Sequence, residues 1–329
     1  MGHLWMLFVD SLSKKGKDVM KKMVMVAGMM VAMCVQAQMK VNTALTTDKN
    51  AFAAGEAAAK KIKAQLGDAK PAVVVMAECY TEKADKTEAL KGVTSVLGKD
   101  VVVSMAVYGI YTQEGAKDKS TVGLLAFSGE GVTARQALSD AIQGDFTNAA
   151  KRLAQKLPVK DDAKLMLVMA DCHSPRNQFF LDGLQSVYGS ALPMAGGSAN
   201  KNSGFNWIGH AGELHTDVAA LIALNGPFKV SQAGDQARDN DAVLKTAEDT
   251  AMRIRQGATS KLTGAVFFDC AGRKGKLESI DEEQAAIAKG LGAGIPFFGI
   301  WCAGEVGVAN DSKGVPVGRG WHIMATGIY

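Results

Sequence analysis

Acidic residues and cysteines stand side by side three times in this chain, each time at the end of an apolar run. The pairs are Glu78-Cys79, Asp171-Cys172 and Asp269-Cys270, and their cysteines are 93 and then 98 residues apart. A thiolate is a nucleophile and a ligand for soft metals, and a carboxylate serves as a general base or binds cations. The pattern therefore marks three equivalent places at which chemistry or binding could occur.

The elements around these pairs repeat as well, which indicates a threefold internal duplication. Each apolar run predicts a buried strand, and a helix-like stretch precedes it. A second helix follows and ends at glycine (Gly98, Gly189 and Gly292), and then come a second and a third strand. The last two strands of each unit look like a hairpin. We therefore expect an α/β fold of three repeated α-β-α-β-β units, with one or more mixed β-sheets covered by helices.

The ends of the predicted strands are the expected place for a ligand, because open α/β sheets bind ligands outside the carboxyl ends of their strands. The third unit carries the most suggestive residues. Its arginine and glutamate would hold the carboxylate and the ammonium group of a zwitterion such as an amino acid. The predicted ligand-binding residues are Cys270, Arg273, Trp301, Cys302 and Glu305 from the third unit, and Gly197, Ser198, Cys172 and His173 from the second.

These residues also have structural explanations. The glycines would serve tight turns, and Arg273 would neutralise Glu305 or Asp269 as a buried charge pair. Glu78 and Asp171 are expected to cap the loops that follow them. For the third unit, the structural and the ligand-binding interpretations both stay open at this point.

Catalytic and cofactor motifs are absent from the sequence. There is no GxSxG elbow, no phosphate-binding loop and no HExxH or CxxC spacing, and neighbours such as Cys172 and His173 point to opposite faces of a strand. We therefore predict no catalytic residue, no cofactor and no metal site. Two alternatives stay open: a thiol-dependent enzyme that uses Cys270 or Cys302, and a protein-interaction scaffold without a small ligand. Cys270 and Cys302 are also the first pair to test for a disulfide.

The N-terminal region predicts export. Two lysines after Met20 precede the 13 uncharged residues 23–35, and small residues lead to Ala37. This is the pattern of a secretory signal peptide that begins at Met20 and is cleaved after Ala37, with residues 1–19 as an upstream extension. Thirteen residues are too few to cross a hydrocarbon core of about 30 Å, so no stable membrane anchor is expected. The predicted location is periplasmic or secreted.

The charge balance argues against nucleic-acid binding. The whole chain has a formal net charge of +4, but residues 1–37 hold five lysines and two aspartates. Without them 32 basic and 31 acidic residues remain. A nucleic-acid surface needs a clear excess of basic residues on one face, and no such stripe is visible.

Several segments resemble the FIST N and FIST C domains. Residues 193–199 look like the GGSA segment of the N domain, and residues 103–111 resemble an earlier strand of it. Cys270 to Arg273 and residues 298–307 are similar to the C-x-GR and GxxxxGEiG signatures of the C domain. On this resemblance, residues 41–230 form an N-like region of two units, and residues 231–329 form a C-like region of one unit.

The resemblance implies a sensory protein that binds a small molecule, with amino acids or similar metabolites as the expected ligands. Two departures suggest a reduced, exported member. Ile110 stands where the family usually has glutamate, and the stretch between Val230 and Asp241 is short. No signalling module is visible in the chain, so a separate signalling protein is the expected partner.

Overall fold

The structure, a computed structural model, describes residues 39–159, 162–202 and 205–329. The predicted signal peptide and Cys34 lie outside the described residues. The helices are α1 Ala51–Leu66, α2 Lys83–Leu97, α3 Phe146–Lys156, α4 Arg176–Tyr188, α5 Asn240–Gly257, α6 Ala271–Lys274 and α7 Ile280–Leu291. No helix in these ranges is both long and apolar enough to cross a membrane.

The strands are short and mostly buried. In chain order they are β1 Lys40–Thr47, β2 Val73–Glu78, β3 Val102–Ala106, β4 Gly109–Thr112, β5 Gly115–Lys117, β6 Thr121–Ser128, β7 Thr133–Leu138, β8 Leu165–Ala170, β9 Met194–Ser198, β10 Lys201–Asn202, β11 Phe205–Asn206, β12 Ile208–His210, β13 Glu213–His215, β14 Ala219–Asn225, β15 Val230–Gln236, β16 Gly264–Cys270, β17 Phe297–Cys302, β18 Glu305–Val308, β19 Pro316–Arg319 and β20 His322–Ile328.

Local sequence explains where several helices start and stop. Ser279 and Glu282 form a capping box at the start of α7, and Asn50 caps α1 by accepting a hydrogen bond from the Ala53 amide. The glycines that follow α2, α4 and α7 have φ of 84°, 82° and 82° with ψ between 149° and 168°. Only glycine adopts this region without strain, so the predicted glycine stops are confirmed.

Three six-stranded sheets form the body of the protein, and each is mixed. Their strand orders are β1-β6-β2-β3-β12-β13, β7-β14-β8-β9-β18-β19 and β15-β20-β16-β17-β4-β5. The first three strands in each order are equivalent from sheet to sheet. Each sheet packs against a helix pair: α1 with α2, α3 with α4, and α5 with α7. The predicted α/β architecture of three repeated units with mixed sheets and covering helices is confirmed.

In every unit, the two strands before the last one form a hairpin that leaves its own sheet. The β4–β5 hairpin of the first unit joins the sheet of the third, β12–β13 of the second joins the first, and β18–β19 of the third joins the second. Each sheet is therefore completed by a neighbouring unit in cyclic order. This exchange ties the three units into one body and places third-unit residues on the second-unit sheet.

The prediction that the second and third predicted strands of each unit pair as a hairpin is wrong. In the first unit β2 lies between them, parallel to β3 and antiparallel to β6. Each unit also has a strand before its first helix (β1, β7 or β15) that the sequence analysis did not predict. Turn residues between two strands do not show whether those strands pair, because a third strand can lie between them.

The core is layered. Its centre is an apolar interior to which all three sheets contribute inward-facing side chains, with Val75, Leu167 and Val266 as equivalent examples. A separate outer layer lies between each of the three sheets and its own helices. Within the interior a small cavity is lined by apolar side chains of all three sheets, including Ala77, Met169 and Phe268. The interior is therefore not a polar ligand pocket.

The register of the sheets changes how the three acid–cysteine pairs compare. Ala77, Met169 and Phe268 occupy equivalent inward positions, since they pair with Met105, Gly197 and Ile300 on the neighbouring parallel strands. Two residues further on stand Cys79, Asp171 and Cys270. The second copy of the phrase is thus offset by one residue, and a one-residue offset moves a side chain to the other face of a sheet.

Candidate functional site

Cys270, Cys302 and Glu305 come together at the carboxyl ends of β16 and β17, and we call them the acid–thiol cluster. Cys270 and Cys302 are the last residues of these parallel strands and are register partners. Glu305 opens β18 on the adjoining second sheet, opposite Gly197. Cys302 and Glu305 are fully buried, whereas Cys270 is partly exposed. The cluster therefore has one member through which solvent reaches it.

The Glu305 carboxyl is only half satisfied. Its Oε2 accepts a hydrogen bond from the His322 amide at 3.1 Å. Its Oε1 accepts no hydrogen bond of ordinary geometry from any described residue, although the Cys270 thiol lies close enough to lower the pKa. Burial outweighs these contacts and raises the pKa of Glu305 to about 8. At neutral pH this side chain is mostly a protonated carboxylic acid.

The internal repeat shows that the fold does not require an acid at this position. The residues equivalent to Glu305 on the other two exchanged hairpins are Ile110, opposite Ile300, and Ile208, opposite Met105. Both isoleucines are fully buried in the central core. A carboxyl group in place of a buried isoleucine loses apolar contacts and must be desolvated, which is unfavourable unless it has a partner. Glu305 is therefore better explained by a function than by the stability of the fold.

The two thiols are not activated in this environment. Burial and the nearby Glu305 carboxyl raise the pKa of Cys270 to about 12, although the backbone amides of Gly272 and Trp321 act in the opposite direction. Burial also raises the pKa of Cys302 well above its ordinary value. Both side chains are therefore thiols, not thiolates, at neutral pH.

Small residues make room for the cluster. A Cβ atom on Gly197 would lie 2.5 Å from the Cys302 sulfur, and one on Gly304 would lie 3.2 Å from the Ser198 hydroxyl oxygen. Ser198 itself donates its hydroxyl hydrogen to the carbonyl of Cys172 on the helix side of the sheet. Gly197 thus contacts the cluster directly, whereas Ser198 and Cys172 support it from the opposite face.

Arg273 lies in a separate buried network. Its Nε donates to Asp269 at 2.8 Å, and its Nη2 donates to Glu283 at 2.6 Å and to the carbonyl of Val243 at 3.0 Å. The indole of Trp301 donates to the second oxygen of Glu283 at 2.9 Å. Arg273, Asp269, Glu283 and Trp301 are all fully buried beneath α5 and α7. This network closes the helix layer of the third sheet.

The predicted pairing of Arg273 with Glu305 around a zwitterion does not occur. Asp269 and Cys270 point to opposite faces of β16, and Arg273 turns back from α6 to reach Asp269. The sheet separates Arg273 and Trp301 from Glu305, and the guanidinium group already has carboxylate partners. Arg273 therefore has the structural role that the sequence analysis left open, although its partners are Asp269 and Glu283 and not Glu305.

His173 belongs to a third group, in the second unit. Its Nε2 lies 2.8 Å from the side-chain nitrogen of Asn206 and 3.2 Å from the Ala199 carbonyl oxygen. Asn206 also donates to Asp171, whose other oxygen accepts from the Asp217 amide. Asp171 therefore anchors a distant loop and does not cap its own. Glu78 does cap its loop, through the Tyr80 amide at 2.9 Å.

Trp321 lies beside Cys270, with its backbone amide against the thiol, and the sequence analysis did not identify it. Its φ is 65°. Its indole packs against Gly272 so closely that a Cβ atom on Gly272 would lie about 3.1 Å from the ring. Exposed Arg238 and Lys276 lie 5.2 and 5.8 Å from the centre of its ring. An aromatic residue with two cations at its ring therefore lies next to the partly exposed Cys270. Only the positive φ of a non-glycine residue identifies Trp321 as unusual, and that is a property of the fold.

The donors do not form a metal site. No group of three or more histidine, cysteine or acidic side chains with the geometry to hold an ion occurs in residues 39–159, 162–202 and 205–329. The candidate site is therefore described by hydrogen bonding and charge, with Glu305 at its centre.

Comparison with known proteins identifies the family. The FIST N domain matches residues 72–237, and the FIST C domain matches residues 232–308. The chain belongs to the FIST domain family, whose domains are sensory and bind small ligands. The resemblance seen in the sequence is thereby confirmed.

No curated protein matches the chain. Among solved structures it is similar to a cyanuric acid hydrolase described as an evolutionary innovation by structural concatenation, with a TM-score of 0.43 and 12% identity over 88% of this chain and 99% of that one. It is also similar to the cyanuric acid hydrolase of A. caulinodans, with a TM-score of 0.45 and 7% identity over the same shares. Likeness at this level carries no argument about activity.

Proposed function

We propose that this protein is an exported sensory protein that binds a small metabolite carrying a protonated amine, such as an amino acid, at the acid–thiol cluster. The observation that supports it is Glu305, a fully buried carboxyl at a position where the two equivalent units have isoleucine, and whose Oε1 has the Cys270 thiol nearby but no hydrogen bond of ordinary geometry from a described residue. An ammonium group would supply the missing donor and replace the proton of the acid with a charge-assisted hydrogen bond.

The residues beside Cys270 suit the other end of such a ligand. Arg238 and Lys276 beside Trp321 provide positive charge and an apolar surface next to the partly exposed Cys270. They replace Arg273 as the groups expected to attract a carboxylate. Export is part of the proposal because of the signal-peptide pattern that ends at Ala37, and a separate signalling protein would then read the ligand-bound state.

The raised pKa of Glu305 predicts how binding depends on pH. The carboxyl must lose its proton to pair with an ammonium group, so the apparent affinity should rise about tenfold per pH unit up to pH about 8. It should level off above that value, until the amine of the ligand itself loses its proton. A ligand that binds through apolar contacts alone would show no such slope.

Thermal unfolding of the full chain in the presence of amino acids, simple amines and carboxylates tests the proposal. We expect amine-bearing compounds to raise Tm at pH 8, less so at pH 6, and not in Glu305→Gln. Glu278→Gln is the matched control, because Glu278 is an exposed glutamate of the same unit. If no compound raises Tm, or if Glu305→Gln responds like the unaltered chain, the proposed site is wrong.

Export is tested separately, by expressing the full chain with a C-terminal tag and sequencing the N-terminus of the product. We expect the mature protein outside the cytoplasm to begin at Gln38. Retention of residues 20–37 in a product that stays in the cytoplasm would overturn that part of the proposal, without bearing on ligand binding.

The alternative of a thiol-dependent enzyme is less well supported. Burial raises the pKa of both the Cys270 and the Cys302 thiol, so neither is present as the standing thiolate that a thiol-dependent enzyme uses at neutral pH. We therefore place ligand binding first.

A further inference from the structure

Cys270 and Cys302 have the relative placement that a disulfide needs. They are register partners on adjacent parallel strands, whose separation is roughly 4.8 Å, within the range of Cα distances that disulfides span. Register partners point to the same face of a sheet. Both residues also end their strands, where the backbone can adjust more easily than in the middle of a ladder.

The other two units show that this pairing is not a consequence of the repeat. The residue equivalent to Cys270 in the first unit is Cys79, and the residue beside it on the neighbouring strand is Val107. In the second unit these places hold Asp171 and Ala199. Two cysteines face each other only in the third unit. This is also the unit in which an acid, Glu305, stands where the other two units have isoleucine. The described cysteines are all free thiols in the structure.

We propose that Cys270 and Cys302 form a reversible disulfide by exchange with a low-molecular-weight disulfide, and that Glu305 accepts the proton of Cys270. This redox site goes beyond the proposed ligand binding and does not depend on it. Its three parts are a partly exposed attacking thiol, a buried resolving thiol and a carboxyl oxygen without another hydrogen-bond partner.

The exchange balances in two steps. In the first, Cys270 transfers its proton to ionised Glu305 and attacks one sulfur of the external disulfide, whose S–S bond breaks. One external thiolate leaves and takes up the proton, and Cys270 is held in a mixed disulfide. In the second, the Cys302 thiol gives its proton to the Glu305 carboxylate and attacks the Cys270 sulfur. The bond between Cys270 and the external sulfur breaks, and the external thiolate that leaves takes up that proton. The two cysteines are oxidised by two electrons, and the external disulfide is reduced to two thiols.

The role of Glu305 predicts a particular pH profile. Proton transfer requires the ionised carboxylate, so the rate of reaction at Cys270 should rise up to pH about 8 and then level off. Without the carboxylate the proton must go to solvent, and the rate should keep rising toward the pKa of the thiol itself, about 12.

The experiment uses the full chain with Cys34→Ala, incubated with oxidised glutathione under native conditions and analysed by alkylation and mass spectrometry. We expect two thiols to disappear together and a peptide map to show Cys270 linked to Cys302. Cys302→Ala should accumulate a glutathione adduct at Cys270, and Cys270→Ala should not react. Cys79→Ala is the matched control, because Cys79 occupies the equivalent place, and it should behave like the parent.

The pH profile separates a proton-accepting Glu305 from a spectator. Glu305→Gln should lose the inflection near pH 8 in the rate of adduct formation, with its circular dichroism unchanged as evidence of folding. The proposal fails if oxidised glutathione links no cysteines in the folded protein up to pH 9, or if Cys270→Ala reacts as fast as the parent. An unchanged inflection in Glu305→Gln would overturn the assigned role of the carboxyl. None of these outcomes depends on whether an amine ligand binds.

Discussion

The first and the third unit place different chemistry at the same positions of the same fold. Around the first unit's strand end stand Cys79, Val107 and Ile110, all buried in the apolar core. Around the third unit's strand end stand Cys270, Cys302 and Glu305. The backbone ladders that hold the two sets correspond, so the architecture is satisfied by apolar residues alone. The acid and the second thiol of the third unit therefore call for a functional explanation.

The outward faces of the two units teach the opposite lesson. In the first unit Glu78 is paired with Lys86 at 2.8 Å, both fully buried, and in the third unit Asp269 is paired with Arg273. These acids point away from the core and toward the helices, where each has a cation. A buried acid with a partner belongs to the structure of the unit, whereas Glu305, which forms no ion pair with any described residue, does not.

The largest expected effect comes from breaking the outward network of the third unit. Arg273→Ala leaves Asp269 and Glu283 buried without a cation, so we expect a loss of about 3–5 kcal/mol in the free energy of unfolding. Urea unfolding followed by circular dichroism measures it. A loss below about 1 kcal/mol would show that these acids are solvated or protonated, and that Arg273 is free to bind a ligand after all.

The next effect concerns the pH dependence of stability. The pKa of Glu305 is about 8 in the folded protein and 4.5 in its ordinary state. The folded state therefore holds a proton that the unfolded state has lost between these values. The stabilisation is fully present below pH 4.5 and is lost as the pH rises to about 8, which amounts to a few kcal/mol. Glu305→Gln should remove this slope from a series of unfolding measurements, and Glu278→Gln should keep it.

Replacing the acid with the residue of the other two units should stabilise the protein. Glu305→Ile restores the apolar contacts that Ile110 and Ile208 make, and we expect a gain of about 1–4 kcal/mol at pH 8, with a smaller gain at pH 5. The higher Tm should come with the loss of any response to amine ligands. A variant that is less stable than the parent at pH 8 would mean that the Glu305 carboxyl serves packing rather than binding.

The smallest effect compares the starts of the equivalent helices. Ser279 caps α7 in a capping box with Glu282, whereas Glu82 at the start of α2 makes no side-chain capping bond. Ser279→Ala should therefore cost about 1 kcal/mol in chemical unfolding, and Glu82→Ala close to nothing. Equal costs would show that the two helix starts are energetically alike despite their different sequences.

The local sequence patterns were sufficient to predict part of the fold. The apolar runs predicted the buried central strands, the glycines predicted the ends of α2, α4 and α7, and the long repeat predicted three units. Segment resemblance was sufficient for the family. The additional strand before each first helix was missed because its residues, such as those of 133–138, alternate only weakly between apolar and polar.

The candidate site was predicted only in part. Cys270, Cys302 and Glu305 were named as candidates, and the structure brings them together, but ligand contact stays a prediction. For Arg273 a ligand role and a charge pair with Glu305 or Asp269 both stayed open, and only the fold shows the pair with Asp269, because a side chain on a short helix turn can reach back to either side of a sheet. Trp321 and His322 were missed, since they contribute through backbone amides that any residue could supply.

The sequence by itself determined what is local: which segments form helices and strands, where they stop, and that the pattern occurs three times. These follow from periodicity and from the conformations that glycine allows, which act over a few residues. The tertiary structure alone decided which unit completes which sheet, and hence that Glu305 faces Cys270 while Arg273 does not. It also decided that the second acid–cysteine pair is offset by one residue. Such relations depend on strand pairing between distant segments, and nothing within a segment specifies its partner.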